Sequence, residues 1–328
     1  AALAIKARVL LYAASPLHNP DNDVEKWKKA AAAAYDIISN PDLNYSLDSD
    51  YGAYFQGNRS LSSPETIYVV RREQSNAMES NNYPIATPGG ASGVTPTQNL
   101  VEAYEWVGDP VAGDPYANRD PRLAASVVTN GSTWNGHVID QSPGGRHDMS
   151  APNASKTGYY LKKFLTDNLD LTQGAKVQHN WVSYRYAEVL LNYAEAMNEA
   201  YGPDQAPGDY ALTALDALQL VRDRASLQLP IVTAATRDEF REAVKHERRI
   251  ELAFEDHRYW DLLRWKDAME VLNKPVRGVK VTKTGEGKWS YTQTEVATRT
   301  FLERNYYMPF TRSEVENSNH TLEQNPGY

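Results

Sequence analysis

Between His246 and Lys266 the chain reads HERRIELAFEDHRYWDLLRWK, and more than half of these residues carry a charge or an imidazole. Such groups could ligate a metal or move protons. His246-Glu247 is how a zinc-binding helix begins, but that site needs a second histidine where Ile250 stands. The spacing favours ion pairing instead: Arg248/Glu251, Glu255/Arg258, Arg258/Asp261 and Asp261/Arg264 each stand three apart, within reach on a helix surface. Ile250, Ala253 and Phe254 recur at helical spacing, and Trp260, Leu263 and Arg264 do so again. Two helices are therefore expected to meet at a corner, apolar sides inward and ions paired beside them. Its expected role is framework.

Other catalytic motifs fall short. Gly90-Ala91-Ser92-Gly93 does not complete a nucleophile elbow, which requires a further glycine where Val94 stands, and Gly285-Glu286-Gly287-Lys288 is too short to cradle a phosphate. There is no cysteine, which removes thiol chemistry and disulfides. The histidines at 18, 137, 147, 179, 246, 257 and 320 show no ligand spacing, so no metal is assigned. A glycosidase needs two carboxylates at a set separation, and none of the 42 acidic residues is singled out as such a pair. No catalytic residue and no cofactor is nominated.

What remains is aromatic and amide. The loops carry Tyr51, Tyr54, Phe55, Tyr83, Trp106, Tyr116 and Trp134, interspersed with Asn76, Asn81, Asn82, Gln98 and Asn135. A flat ring covers the C–H face of a pyranose, ring contacts being worth about 0.5–1.5 kcal/mol, while amides and a guanidinium read hydroxyls. That composition suits neutral sugars. Tyr83 and Trp134 are the expected stacking platforms, with Asn82 and Arg72 as polar readers. Residues 79–90, ESNNYPIATPGG, are polar and helix-breaking and are expected at the surface. Tyrosine also anchors loops, the commoner role for any one of the 21 here. Trp181, Tyr184, Tyr186, Tyr193 and Trp265 belong to predicted helices and are expected in the core.

Four stretches must position these residues. Residues 1–39 read as a helical hairpin: the first helix stops before Ser15-Pro16, where proline displaces its predecessor from helical geometry. The second runs from about Asp23 to Ser39, with Trp27, Ala31, Ala34 and Ile38 on one stripe before Asn40-Pro41. Residues 40–178 are rich in Asn, Ser, Gly, Pro and Tyr, with a strand-like Thr66–Val70 and a short helix at about Gln98–Trp106. A loop region of that length signals function rather than connection. Residues 179–275 turn helical again, at about Trp181–Tyr201, Asp209–Ala225, Arg237–Glu255 and Arg258–Leu272. Residues 276–328 hold a hairpin, Val279–Tyr291, and an extended tail. The fold class is mostly α: stacked helical hairpins, near tetratricopeptide spacing but without its consensus, bearing a large irregular ligand-binding subdomain.

With 328 residues and 41% hydrophobic content the chain can bury a substantial core, and no apolar run reaches membrane-spanning length. A net charge of −8 argues against nucleic acid, which needs a basic face. AALAIKARVLLYAAS is already helix interior with no cap ahead of it, so a preceding segment is expected. No signal peptide is visible.

In order along the chain stand TPTQNLVEAYE (95–105), NRDPRL (118–123), GYYLKKF (158–164), RYAEVLLNYAEAMNE (185–199), LVRDRASL (220–227), the ionic corner, and the terminal QNPGY. Together they resemble the SusD/RagB family of outer-membrane glycan-binding lipoproteins. The resemblance implies a tetratricopeptide-like scaffold with the irregular region as ligand-bearing subdomain. It also implies noncatalytic capture of oligosaccharides at the cell surface and their delivery to a SusC-like TonB-dependent transporter. Localisation would be the outer membrane, through a lipid anchor on a segment not present in this chain. A RagB-like member would capture peptides instead, and a glycoside hydrolase is the rival from another class.

Overall fold

The computed structural model describes residues 1–319 and 321–328, so His320 lies outside the described residues. It is 35% helical and 16% strand. The first helix, Ala2–Ala14, ends where Ser15 turns extended ahead of Pro16. The second, Val24–Ile38, starts at Asp23, whose side chain accepts from the Glu25 amide and satisfies one of the free N–H groups of the first turn. Lys6 reaches Asp36 at 3.3 Å, so the two helices run antiparallel. Alanines 30, 31, 33 and 34 are buried and let the Tyr186–Tyr201 helix approach closely. Ala214–Arg222 and Arg237–Glu251 complete this layer, each opened by a capping box, Thr213 with Asp216 and Thr236 with Glu239. Leu190, Met197, Leu218 and Phe240 fill its core. Among the described residues no helix is long and apolar enough to cross a membrane.

Five expected helices change, of which Asp209–Ala225 only shortens to Ala214–Arg222 and Gln98–Trp106 to Gln98–Val101. Trp181–Arg185 is not helix but the end of a strand, Val177–Arg185, antiparallel to Thr66–Ser75 with Val70 opposite Trp181. The β-branched and aromatic residues Trp181, Val182 and Tyr184 fit a pleated surface once a long-range partner is present, and helix starts only at Tyr186. The Arg237 helix stops at Glu251, because Phe254 and Asp256 take left-handed φ values of 64° and 63°. The segment 258–272 is two short helices, Arg258–Arg264 and Ala268–Leu272, broken at left-handed Lys266. Trp260, expected inside, is 44% exposed.

The irregular region is held by short ladders, Val127–Val128 with Tyr160–Leu161 and Thr133–Trp134 with His137–Val138. The terminal hairpin pairs Val276–Gly285 with Lys288–Ala297. It docks on the irregular region through the Val279 amide, which donates to the Thr157 carbonyl at 2.8 Å. Contact is so close at Gly278 that a Cβ there would lie 2.7 Å from Thr157 Cα.

Glu247, Arg248, Glu251, Glu255, Asp261 and Arg264 of the corner are buried, and each is paired at long range. Glu251 accepts from Arg185 at 2.7 Å, Arg224 at 2.8 Å and Arg122 at 2.9 Å. Arg122 comes from NRDPRL and also holds Asp120 at 2.7 Å and Glu247. Arg185 adds Glu65 and Glu255, each at 2.7 Å, and Lys163 reaches Glu255 at 2.8 Å. A second cluster joins Asp261 to Arg248 at 3.0 Å and to Arg264 at 2.8 Å, with Arg264 also on Glu195. Of the four three-apart pairs expected, Asp261/Arg264 forms, while Arg248, Glu251 and Glu255 take partners elsewhere. The physical reason is burial: a desolvated ion needs several well-aligned bonds, which one neighbour on the same helix cannot supply. Burial pushes the Glu251 carboxyl up, but Arg224, Arg185 and Arg122 together hold it well below its ordinary range. Burial acts likewise on Asp261, which Arg248 and Arg264 bring down to about 2. Lys163 is pushed down to about 8 by burial, with Glu255 opposing.

Candidate ligand cleft

Trp289 and Tyr291 alternate along the second strand of the terminal hairpin and so share one face of it. That face looks onto the irregular region. The Trp289 ring lies over Gly131, where an added Cβ would sit 3.3 Å from the ring, and its indole N–H donates to Asp140 at 3.1 Å. Gly131 has φ 84°, a left-handed turn that glycine adopts freely and that leaves the ring space. The Tyr291 hydroxyl accepts from the Asn130 side chain at 3.3 Å, and its ring meets Tyr116 edge-on at 5.4 Å. Tyr116 comes from the 106–119 loop, which is closed by Trp106–Arg119 and Val111–Asp114 bridges. The Arg119 guanidinium sits 3.9 Å over the Trp106 ring.

These elements enclose an open cleft of ≈ 650 Å³ lined by Asp114, Asn130, Ser132, Lys288, Trp289 and Tyr291. Half-buried rings fixed from behind by hydrogen bonds are rigid platforms, and a rigid ring loses little entropy when a ligand covers it. Ser132 and Asp114 supply polar groups beside the rings, while Asn130 is buried behind them, its amide spent on the Tyr291 hydroxyl and the Gln141 amide. Partial burial pushes Asp140 up, but bonds from Ser142 and Trp289 hold it below its ordinary value. It is an ionised anchor for the indole, not a proton donor.

The residues singled out in the sequence lie elsewhere. Tyr83 is 0% and Trp134 3% exposed, and their rings meet edge-on at 5.9 Å in a core with Ile85, Val128, Ile139 and Leu165. The Tyr83 hydroxyl donates to the Thr166 carbonyl and accepts from the Leu169 amide at 3.2 Å. Burial pushes that phenol up to about 12. Asn82 is also buried, bonding the Met78 carbonyl and the Val94 amide, both at 2.9 Å. The expected surface position of 79–90 is thus corrected: the polar stretch wraps back on itself, with the Ser92 amide donating to the Tyr83 carbonyl at 3.0 Å, and encloses its one large ring. The structure brings Tyr83, Asn82 and Trp134 together, but as packing, with no face open for a sugar. Arg72 is exposed on the Thr66–Ser75 strand, and among the described residues its side chain bonds none of the other three. Tyr51, Tyr54 and Phe55 are buried as well, whereas Trp106 is 36% exposed. Trp289 and Tyr291 were missed, although the alternation in Lys288-Trp-Ser-Tyr places two rings on one side of a hairpin strand.

The fold and cleft define a helix-based scaffold that carries an open, aromatic-lined recess between loops and a terminal hairpin. The chain belongs to the SusD family, whose model matches residues 54–328. SusD-like protein P2 of Formosa agariphila is 25% identical over 92% of this chain and 56% of its own length. SusD-like protein P38 of the same organism is 27% identical over 74% of the chain and 46% of its own. The chain therefore spans about half the length of these curated relatives. A SusD-like protein of Bacteroides fragilis superposes with a TM-score of 0.79 at 26% identity, over 100% of this chain and 65% of that one. A SusD-like carbohydrate binding protein, also of Bacteroides fragilis, gives 0.77 at 27% identity, over 96% and 63%.

Proposed function

We propose that this chain is a noncatalytic capture protein that takes glycans into the Trp289–Tyr291 cleft. The observation that carries this proposal is the pair of half-buried rings on one hairpin face, each fixed by a hydrogen bond and bordered by Asn130, Ser132 and Asp114. The description of a similar Bacteroides fragilis protein as carbohydrate binding supports it. The helical pairs act as a tetratricopeptide-like scaffold, and the irregular layer with the hairpin is the ligand-bearing part. In the cell the protein sits at the outer-membrane surface on a lipid anchor and passes its ligand to a SusC-like TonB-dependent transporter. Arg72, exposed on its strand, is a secondary polar contact.

The test is a neutral-oligosaccharide array followed by titration of the strongest ligand. Trp289→Ala is expected to weaken binding about tenfold, the equivalent of 1.4 kcal/mol, while leaving the melting temperature nearly unchanged because the ring is half-exposed. Undiminished affinity in Trp289→Ala rejects the cleft. Capture of peptides alone, or release of new reducing ends, rejects the function.

A further inference from the structure

A second cleft, of ≈ 570 Å³, is walled in part by the ionic corner and opens between the Gln98–Val101 helix, the Ala268–Leu272 helix and the start of the terminal hairpin. Its cations are Arg249, Arg258, Lys274, Arg277 and Arg299, with His246 beside them. Elsewhere at the corner each buried guanidinium has a carboxylate: Arg248 has Asp261, and Arg264 has Asp261 and Glu195. Here the pattern breaks. Glu102, the cleft's own carboxylate, is taken by Arg277 and by Gln98 and Gln293. Lys274 is paired with Glu270. Nearby, Glu242 and Asp267 are bridged by Lys245. Among the described residues, no carboxylate lies within ion-pair distance of Arg249, Arg258 or Arg299.

Arg249 is half-buried and spends one N–H on the Asn99 carbonyl. The Arg258 side chain, also half-buried, makes no hydrogen bond among the described residues. Burial and the neighbouring Arg249 lower its pKa to about 10. A half-buried guanidinium without an acceptor carries a desolvation cost that a bound oxyanion removes. The chain has 42 acidic residues against 34 basic ones, so a cluster of unpaired cations in one recess is not explained by composition.

We propose that this recess binds the carboxylate or sulfate of an acidic saccharide unit, with Arg249 and Arg258 donating to the oxyanion and Arg299 at the rim. Leu100 and Phe254, half-buried in the same walls, offer apolar surface to the C–H face of the ring that bears the charge. The volume suits a small ligand rather than a chain, and a net charge of −8 repels an extended polyanion elsewhere on the surface. That the anion is borne on a sugar rests on the proposed glycan function; the oxyanion site itself does not.

The test is calorimetry at low salt with an oligoglucuronate, its carboxyl-reduced neutral counterpart, a sulfated oligosaccharide and a short oligoglutamate. The acidic saccharides are expected to bind at least tenfold tighter than the reduced one and to weaken as sodium chloride rises. Arg258→Gln and Arg299→Gln should each lower that affinity several-fold, while Trp289→Ala leaves the difference between charged and reduced forms intact. Arg258→Gln should also raise the melting temperature of the free protein, since it removes an uncompensated charge. Equal binding of charged and reduced saccharides, or full affinity in both arginine variants, overturns the site. Tighter binding of oligoglutamate than of any saccharide overturns the assignment to sugars. Loss of neutral-glycan binding in Trp289→Ala alone bears only on the first cleft, so the two proposals fail separately.

Discussion

Two tryptophans of similar sequence context have opposite fates. Trp134 in NGSTWNG and Trp289 in GKWSY both flank glycine turns, yet the first is enclosed by Tyr83 and aliphatic side chains while the second lies half-open over Gly131. A ring's environment follows from what folds over it, and both turns look equally polar in isolation. Trp134→Ala is expected to cost about 3–5 kcal/mol, as for other buried aromatic truncations, in urea unfolding at pH 7. The folded fraction should keep its ligand affinity. A stability change under 1 kcal/mol, or a selective loss of binding, would return Trp134 to the ligand surface. Trp289→Ala should do the reverse, sparing stability and losing affinity.

At the scale of elements, the terminal hairpin matters because it carries the aromatic face and docks by backbone. Gly158, at φ 80°, and Gly278 let the two main chains touch; a Cβ on Gly278 would meet Thr157 Cα at 2.7 Å and the Thr157 carbonyl oxygen at 2.8 Å. Gly278→Ala must therefore push the hairpin outward. Overpacking of this kind costs about 1–3 kcal/mol, and the displacement should widen the cleft between Trp289 and Asn130. Expected together are a lower urea midpoint and a loss of glycan affinity, the latter read by titration well below the unfolding transition. Unchanged affinity would mean that the hairpin's position is set elsewhere. The strand Val177–Arg185 plays a comparable part: it carries Arg185 from the irregular layer into the helical one, so a division of the chain at 178 falls within a continuous element.

Across the whole molecule, Glu251 ties layers together, since its three guanidinium partners come from the NRDPRL segment, the long strand and the segment after Ala214–Arg222. Removing one partner of a buried ion pair costs about 3–5 kcal/mol because the remaining charges stay desolvated. Glu251→Gln should show a loss of that order at pH 7. Glu251 and Asp261 both titrate lower in the fold than their ordinary 4.5 and 3.8. Their stabilisation is thus complete above those ordinary values and fades as pH falls through them, since the unfolded chain takes up protons first. Urea midpoints of the unaltered protein should drop below about pH 4.5, and the gap to Glu251→Gln should narrow with it. A gap that stays constant from pH 7 to pH 3 would show that the carboxylate's charge is not what the fold uses.

Local chemistry made much of this legible in advance. Ser15-Pro16 and Asn40-Pro41 mark the ends of the first two helices because proline constrains its neighbours whatever the fold, and seven motifs in order marked the family. The corner's charges announced that they must be paired, because ions cannot be buried alone. Their partners were not legible: Glu251 ignores Arg248 three residues away and takes Arg122, Arg185 and Arg224, which only tertiary packing brings near. The strand at 177–185 likewise depends on a partner more than a hundred residues earlier, and the burial of Tyr83 depends on a chain reversal by residues that look solvent-loving one at a time. Sequence by itself determined which groups needed company, since propensity, capping and desolvation act locally. Which company they kept, and which rings and arginines were left facing a cleft, was decided by the tertiary structure, because burial and pairing at a distance belong to the assembled chain.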